Sequence, residues 1–199
     1  VNIASKNIVA RKRSLDVYVK CLELANEMEC SLCQFLSGFG CLDEEDGEVW
    51  KRSRDSLAYL ADIADSYGID IALETSPKSY TCLTNAKEVM QMIGEIGKKR
   101  LYGMLDTAVL GYSGEDVQDV IEILGDKLRH VHFADGTPNG HLILGEGELN
   151  LEYMLENLNK ALYPHILGLE IMNGTYVTEP EKAMESSFEW LKDKINGLQ

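Results

Sequence analysis

Two hydrophobic periods take turns along this chain, and their exchange limits its fold to a narrow set. Residues 14–29 carry Leu15, Tyr18, Val19, Leu22, Ala25 and Met28 at helical spacing, and the apolar run 31–36 follows. Residues 49–67 repeat the helical pattern with Leu57, Leu60, Ala61 and Ala64, stop at Gly68, and give way to the strand 69–74. Thr84 is placed to cap a helix to Ile96, ahead of the run 101–105. Val117, Val120, Ile121 and Leu124 mark a helix before Gly125, with the strand 128–133 beyond it. Asn150 caps a helix bearing Leu151, Met154, Leu155, Leu158 and Leu162, the strand 166–172 comes next, and a helix with Met184, Phe188, Leu191 and Ile195 closes the chain. Strict alternation implies an α/β protein whose parallel strands are joined by right-handed helical crossovers, as an open doubly wound sheet or as a barrel. Five strands are expected. No G-x-G-x-x-G or G-x-x-x-x-G-K-[ST] loop follows any of them, which removes the main support for a nucleotide-binding open sheet.

The chain has 199 residues, 45% of them hydrophobic, with no linker or low-complexity tract, so residues 1–199 read as a single domain. Nineteen Lys and Arg stand against 33 Asp and Glu, a formal charge of -14 that repels phosphate backbones and anionic headgroups. Neither nucleic acid nor a membrane is expected as a partner. No apolar stretch approaches the roughly 20 residues that span a bilayer, and residues 1–13 lack a hydrophobic signal core, so a soluble, cytoplasmic protein is expected. Five cysteines, an odd and scattered set, fit reduced thiols better than a disulfide framework. Cys30 and Cys33 form one C-x-x-C pair, read here as small filler on a buried strand because no second pair completes a zinc set.

Four of the five strands end in a side chain able to hold a metal: Glu74, Asp106, His132 and Glu170. Their separations of 32, 26 and 38 residues are each close to one strand-helix unit of about 30 residues. In a parallel barrel all carboxyl ends share one rim, where catalytic groups collect. Three carboxylates and an imidazole there would repel one another without a positive charge between them, and a divalent cation supplies it. Period two puts Ala72 on the inward side with Glu74, and Gly168 beneath Glu170, small residues that leave room for a ligand. His130 shares that parity one layer below His132 and reads as a packing or supporting histidine. Oxygen-rich coordination with one imidazole suits Mn²⁺ or Co²⁺, with Mg²⁺ and Zn²⁺ as further candidates. Each carboxylate taken alone is equally well a helix cap, Asp135 in Asp135-Gly136-Thr137-Pro138 has turn chemistry, and His165 reads as an exposed bystander on the opposite rim.

With these residues in hand, the chain resembles the sugar isomerase/epimerase family of xylose isomerase-like (β/α)8 TIM barrels, which includes the tagatose and psicose 3-epimerases. The likeness rests on Leu73-Glu74, Leu105-Asp106-Thr107, His130-Val131-His132, Gly145-Glu146-Gly147 and Leu169-Glu170. A narrower likeness, to the fructoselysine 3-epimerases, rests on Arg13-Ser14-Leu15-Asp16, on Leu124-Gly125-Asp126-Lys127 before the histidine strand, on His141 followed by Leu144-Gly145-Glu146-Gly147, and on Glu179-Pro180. The resemblance implies one divalent metal held by Glu74, Asp106, His132 and Glu170, a small-molecule sugar or ketosamine substrate, and 3-epimerisation through a metal-stabilised enediolate. Glu74 and Glu170 would then be the acid/base pair, one removing a proton and the other returning one on the opposite face.

The sequence departs from the tagatose type in having no histidine three residues after Asp106 and no arginine between His132 and Glu146. His141 is the candidate replacement donor, and Glu146 and Asp135 are further candidates for substrate contact. The resemblance also implies that the five strands are the fourth to eighth of a barrel, because residues 1–5 resemble the segment after the family's third strand and a full barrel takes about 250 residues. A sheet opened there exposes strand edges and helix interiors, which leads to the expectation of a homo-oligomer. Two readings compete with the epimerase: an inosose dehydratase-like lyase using similar ligands, and a non-catalytic partial barrel acting as a binding or assembly module.

Overall fold

A computed structural model describes residues 1–137 and 139–198, and of Asn139 only the backbone. Pro138, part of the turn reading above, lies outside the described residues. The chain divides into two compact units, Val1–Met104 and Leu105–Gln199.

In the first unit, α1 (Ile8–Glu27) precedes β1 (Leu32–Phe35), α2 (Asp46–Tyr67) precedes β2 (Asp70–Leu73), and α3 (Ala86–Ile96) leads into β3 (Leu101–Asp106), which ends in the second unit. The strands pair in parallel, Gln34 opposite Ala72 and Leu73 opposite Gly103. β2 is buried at all four positions, as a central strand with no polar face must be. The core between it and the helices is built from Leu57, Leu60, Ala64, Ile71, Leu73 and Val89, all at or below 1% exposure. Helix α2 stops at Gly68, whose φ of 72° is the left-handed conformation that glycine adopts without steric cost. Three expectations shift here. Helix α1 begins earlier, at Ile8, because Asn7 accepts from the backbone of Val9 and Ala10. Asn85 rather than Thr84 caps α3, while the amide and hydroxyl of Thr84 both donate to Glu88 in the first turn. The expected buried strand with thiol filler is half-exposed: β1 pairs only with β2 among the described strands, Phe35 is its one buried residue, and Cys30 lies outside it in the open.

In the second unit the end of β3 runs directly into α4 (Thr107–Ser113), followed by α5 (Val117–Leu124) and β4 (Leu128–Phe133). A short antiparallel hairpin, β5 (Asp135–Thr137) and β6 (Asn139–Leu142), leads to α6 (Leu151–Lys160), β7 (Leu167–Leu169) and α7 (Pro180–Gly197). β4 and β7 are parallel, His132 opposite Gly168. Val131, Phe133, Val120, Leu124, Leu155 and Leu158 form the buried apolar layer. The alternation did not disclose α4 or the hairpin, the final strand is three residues long rather than the seven of 166–172, and α6 stops at Lys160, leaving Leu162 beyond it with a left-handed φ of 52°. Pro180 opens α7 at the one place where its missing N–H costs nothing. His165 is exposed as expected, with its ring edge-on to Tyr163 and Nδ1 at 3.1 Å from Arg129 Nη1. Among the described residues, no helix is long and apolar enough to cross a membrane, and all five cysteines are free thiols.

Candidate metal centre

Asp106 ends β3 and caps α4, and its two carboxylate oxygens divide the work. Oδ1 accepts from the amides of Ala108 and Val109 at 2.8 and 3.1 Å, which satisfies two donors that the helix start leaves open. Oδ2 turns the other way and meets His141 Nε2 at 3.0 Å and His132 Nδ1 at 3.8 Å. The cap fixes the carboxylate plane, so the direction of Oδ2 is set by the backbone. Thr107, the next residue, ties the end of β3 to the end of β4: its hydroxyl donates to the carbonyl of Ala134 at 2.6 Å and accepts from the Ala134 amide at 2.8 Å.

His132 projects from β4 with Nδ1 at 2.9 Å from Glu170 Oε2. Glu170 follows β7, its amide donating to the carbonyl of Phe133. His141 arrives from the hairpin, and its Nε2 lies 3.0 Å from Asp106 Oδ2 and 3.1 Å from Glu170 Oε2, so one imidazole bridges both acids. The His141 carbonyl accepts from the amides of Met172 and Asn173, which latches the hairpin to the segment beyond Glu170.

Electrostatics follow from this packing. Burial opposes the charge on Asp106, yet the nearby imidazole of His132 and the hydrogen bond with His141 hold its carboxyl far below the usual carboxylate range. Glu170 is lowered in the same way against the same burial penalty. Hydrogen bonding to Asp106 first, and then to Glu170, pushes the His141 imidazole up to about 10. Burial, followed by the charge of His132, lowers His130. Two carboxylates thus share a half-buried pocket with His141, whose Nε2 lies within hydrogen-bond distance of both. Asp106, His132 and Glu170 each offer a ligand atom within 4.8 Å of the others. Carboxylate oxygens and an imidazole nitrogen gathered by strand ends are a donor set that fits a divalent cation.

The other expected site residues fall as follows. Glu74 comes just after β2 in the first unit, 9% exposed, with Gln34 Nε2 donating to its Oε2 at 2.6 Å. His130 stands edge-on to His132, ring centroids 5.0 Å apart, in keeping with a packing role. The room expected above Gly168 is taken by that ring: a Cβ at Gly168 would lie 3.0 Å from His130 Nε2. Asp135 is 1% exposed and turned into its own loop, accepting from the amides of Gly136, Gly145, Gly147 and Leu149. That geometry organises the segment after the hairpin. Glu146 is exposed and accepts from the Tyr176 hydroxyl at 2.5 Å, and the same hydroxyl accepts from the Ile143 amide. Gln34, Thr107 and Tyr176 were not foreseen, since each matters through a partner distant in the chain.

The fold and this cluster define a class: an α/β protein with parallel strands whose carboxyl ends gather acids and imidazoles suited to a cation. Within that class, the chain belongs to the xylose isomerase-like TIM barrel family, whose model matches residues 1–194. It is 27% identical over 173 residues to fructoselysine 3-epimerase of Escherichia coli O157:H7, covering 85% of this chain and 62% of that relative. Among solved structures it is similar to a D-tagatose 3-epimerase-like protein, with a TM-score of 0.87 and 24% identity over 100% of this chain and 74% of the other. An L-ribulose 3-epimerase structure matches with a TM-score of 0.85 and 18% identity, covering 99% and 72%. The chain therefore spans just over three fifths of the length of the curated relative and about three quarters of the length of the solved structures.

Proposed function

We propose that this chain carries the centre of a divalent-metal-dependent 3-epimerase acting on a ketose or ketosamine, with Mn²⁺ or Co²⁺ as the preferred ion. The observation that carries the reading is the convergence of Asp106, His132 and Glu170 at the ends of three different strands. Glu74 is proposed as the fourth ligand from its place at the end of β2 and from the family's pattern of one such group on each of these strands. Membership of the family and similarity to proteins described as sugar 3-epimerases support the substrate class. A homo-oligomer working in the cytoplasm belongs to the same reading.

When bound, the cation supplies Lewis-acid stabilisation of the negative charge that builds on a ketose oxygen as the neighbouring carbon loses its proton. The residues of the chain do the rest. One of Glu74 and Glu170 takes the proton from carbon 3 and the other delivers a proton to the opposite face, so the configuration inverts; the acceptor ends protonated and the donor ionised, and proton exchange with water resets the pair before the next turnover. Asp106 holds a fixed position because its second oxygen is committed to α4. His141 offers its ring N–H to a substrate hydroxyl, in the place of the arginine and histidine the tagatose type uses. Glu146, held by Tyr176, faces solvent and is the second candidate for contact with the sugar.

The test is incubation with Mn²⁺ and fructoselysine, and separately with tagatose and fructose, in D₂O. Deuterium entering carbon 3 together with appearance of the 3-epimer supports the proposal. A dehydrated, deoxy-ketone product would replace it with a lyase, and no turnover by metal-loaded, folded protein would leave a binding module.

A further inference from the structure

We propose that Gln34 is a positioning residue for Glu74, an inference that rests on the reading of Glu74 as a ligand and acid/base. Gln34 lies on β1 in register with Ala72, and Glu74 is two residues beyond Ala72 on the same side of the sheet. The diagonal between such positions is about 7–8 Å, a span that a glutamine covers and an asparagine does not. The methyl group of Ala72 leaves that path open. At its end Nε2 donates to Glu74 Oε2 at 2.6 Å. The orientation of the amide is forced, because a carboxylate has only acceptors and only the NH₂ group can face it.

The consequence is a division of labour like that in Asp106, with a side-chain donor replacing the helix start. An unrestrained glutamate has three rotatable bonds, and each must be frozen before the carboxylate can hold a cation and meet a carbon-bound proton. Gln34 pins one of the two oxygens and thereby fixes the carboxylate plane, at a site only 9% exposed where water is a poor substitute donor. Gln34 itself is exposed and adds nothing to the apolar core, so its removal leaves the sheet standing. Partners of this kind typically contribute about 10- to 100-fold to metal affinity or activity.

The experiment compares Gln34→Met, of similar length but with no donor, with Glu74→Gln and the parent. Mn²⁺ affinity is read by titration calorimetry, kcat and KM by product formation, and folding by thermal melting. The expected result is a fall of about 10-fold or more in Mn²⁺ affinity and in kcat, with KM within about twofold and an unchanged melting temperature. Parent-like affinity and kcat in Gln34→Met, while Glu74→Gln loses both, overturns the role of Gln34 alone. A melting temperature that drops along with affinity also overturns it, in favour of simple strand support. Unchanged Mn²⁺ affinity in Glu74→Gln overturns instead the reading of Glu74 on which the inference rests.

Discussion

Replacing Gly168 by alanine disturbs the centre without touching any proposed ligand. A Cβ there meets His130 Nε2 at 3.0 Å, Cε1 at 3.3 Å and His132 Cδ2 at 3.6 Å. Ordinary contact begins at 3.4 Å, so the His130 ring must give by about 0.4 Å, and its edge-on contact passes part of that shift to His132. A misplacement of about 1 Å costs on the order of 100-fold, so a logarithmic scaling of the whole 0.4 Å sets an upper bound of about sixfold, and the fraction passed to His132 gives a loss of about two- to sixfold in Mn²⁺ affinity. Stability moves less. Overpacking costs about 1–3 kcal/mol, and the better strand propensity of alanine returns about 0.5–1 kcal/mol, for a net loss of about 1 kcal/mol. Calorimetric titration and urea unfolding measure the two quantities. A second arm identifies the route: with His130→Ala in place the ring is gone, and adding Gly168→Ala should change affinity by less than twofold. Parent-like affinity in the single variant, or an undiminished loss in the double variant, would refute the argument that the two histidines transmit the strain.

Three further outcomes follow from the same geometry. Asp106→Asn keeps a good cap on α4 and should unfold within about 0.5 kcal/mol of the parent while losing Mn²⁺ binding, whereas Asp106→Ala should lose the binding and about 1 kcal/mol of stability as well, both read by urea titration and calorimetry. Thr107→Val strands the buried Ala134 amide and should cost about 2 kcal/mol in urea unfolding. Asp135→Ala removes the acceptor for four loop amides and should cost about 3 kcal/mol, with faster hydrogen exchange at Gly145, Gly147 and Leu149.

How far the fold could be read in advance depended on the length of each element. Helices α2, α5 and α6 declare themselves through apolar residues at helical spacing and through Gly68, Gly125 and Asn150 at their ends, and the alternation with β2, β3 and β4 fixes the fold class. The hairpin of β5 and β6 stayed hidden because strands of three and four residues are too short to show a period of two. That gap matters, because this hairpin carries His141 to Asp106 and Glu170. β1 was expected to be buried from its apolar letters, but burial of a strand depends on having neighbours on both sides, which local sequence does not state.

The candidate site divides along the same line. Asp106, His132 and Glu170 could be picked out because a parallel fold puts the residues at successive strand ends on one rim. What surrounds them could not. The splitting of Asp106 between α4 and the pocket, the reach of Gln34 to Glu74, and the capture of Asp135 by its own loop are each decided by register and turn geometry. Gly168 shows the limit well: its small size signalled space for a ligand, and the space holds the ring of His130.

Anomalous diffraction from crystals soaked in Mn²⁺ would show whether these side chains hold a cation. One strong peak within bonding distance of Asp106 Oδ2, His132 Nδ1 and Glu170, with His141 displaced from between the two acids, is the predicted result. A site that stays metal-free at saturating Mn²⁺, or a peak held by other residues, would contradict the account.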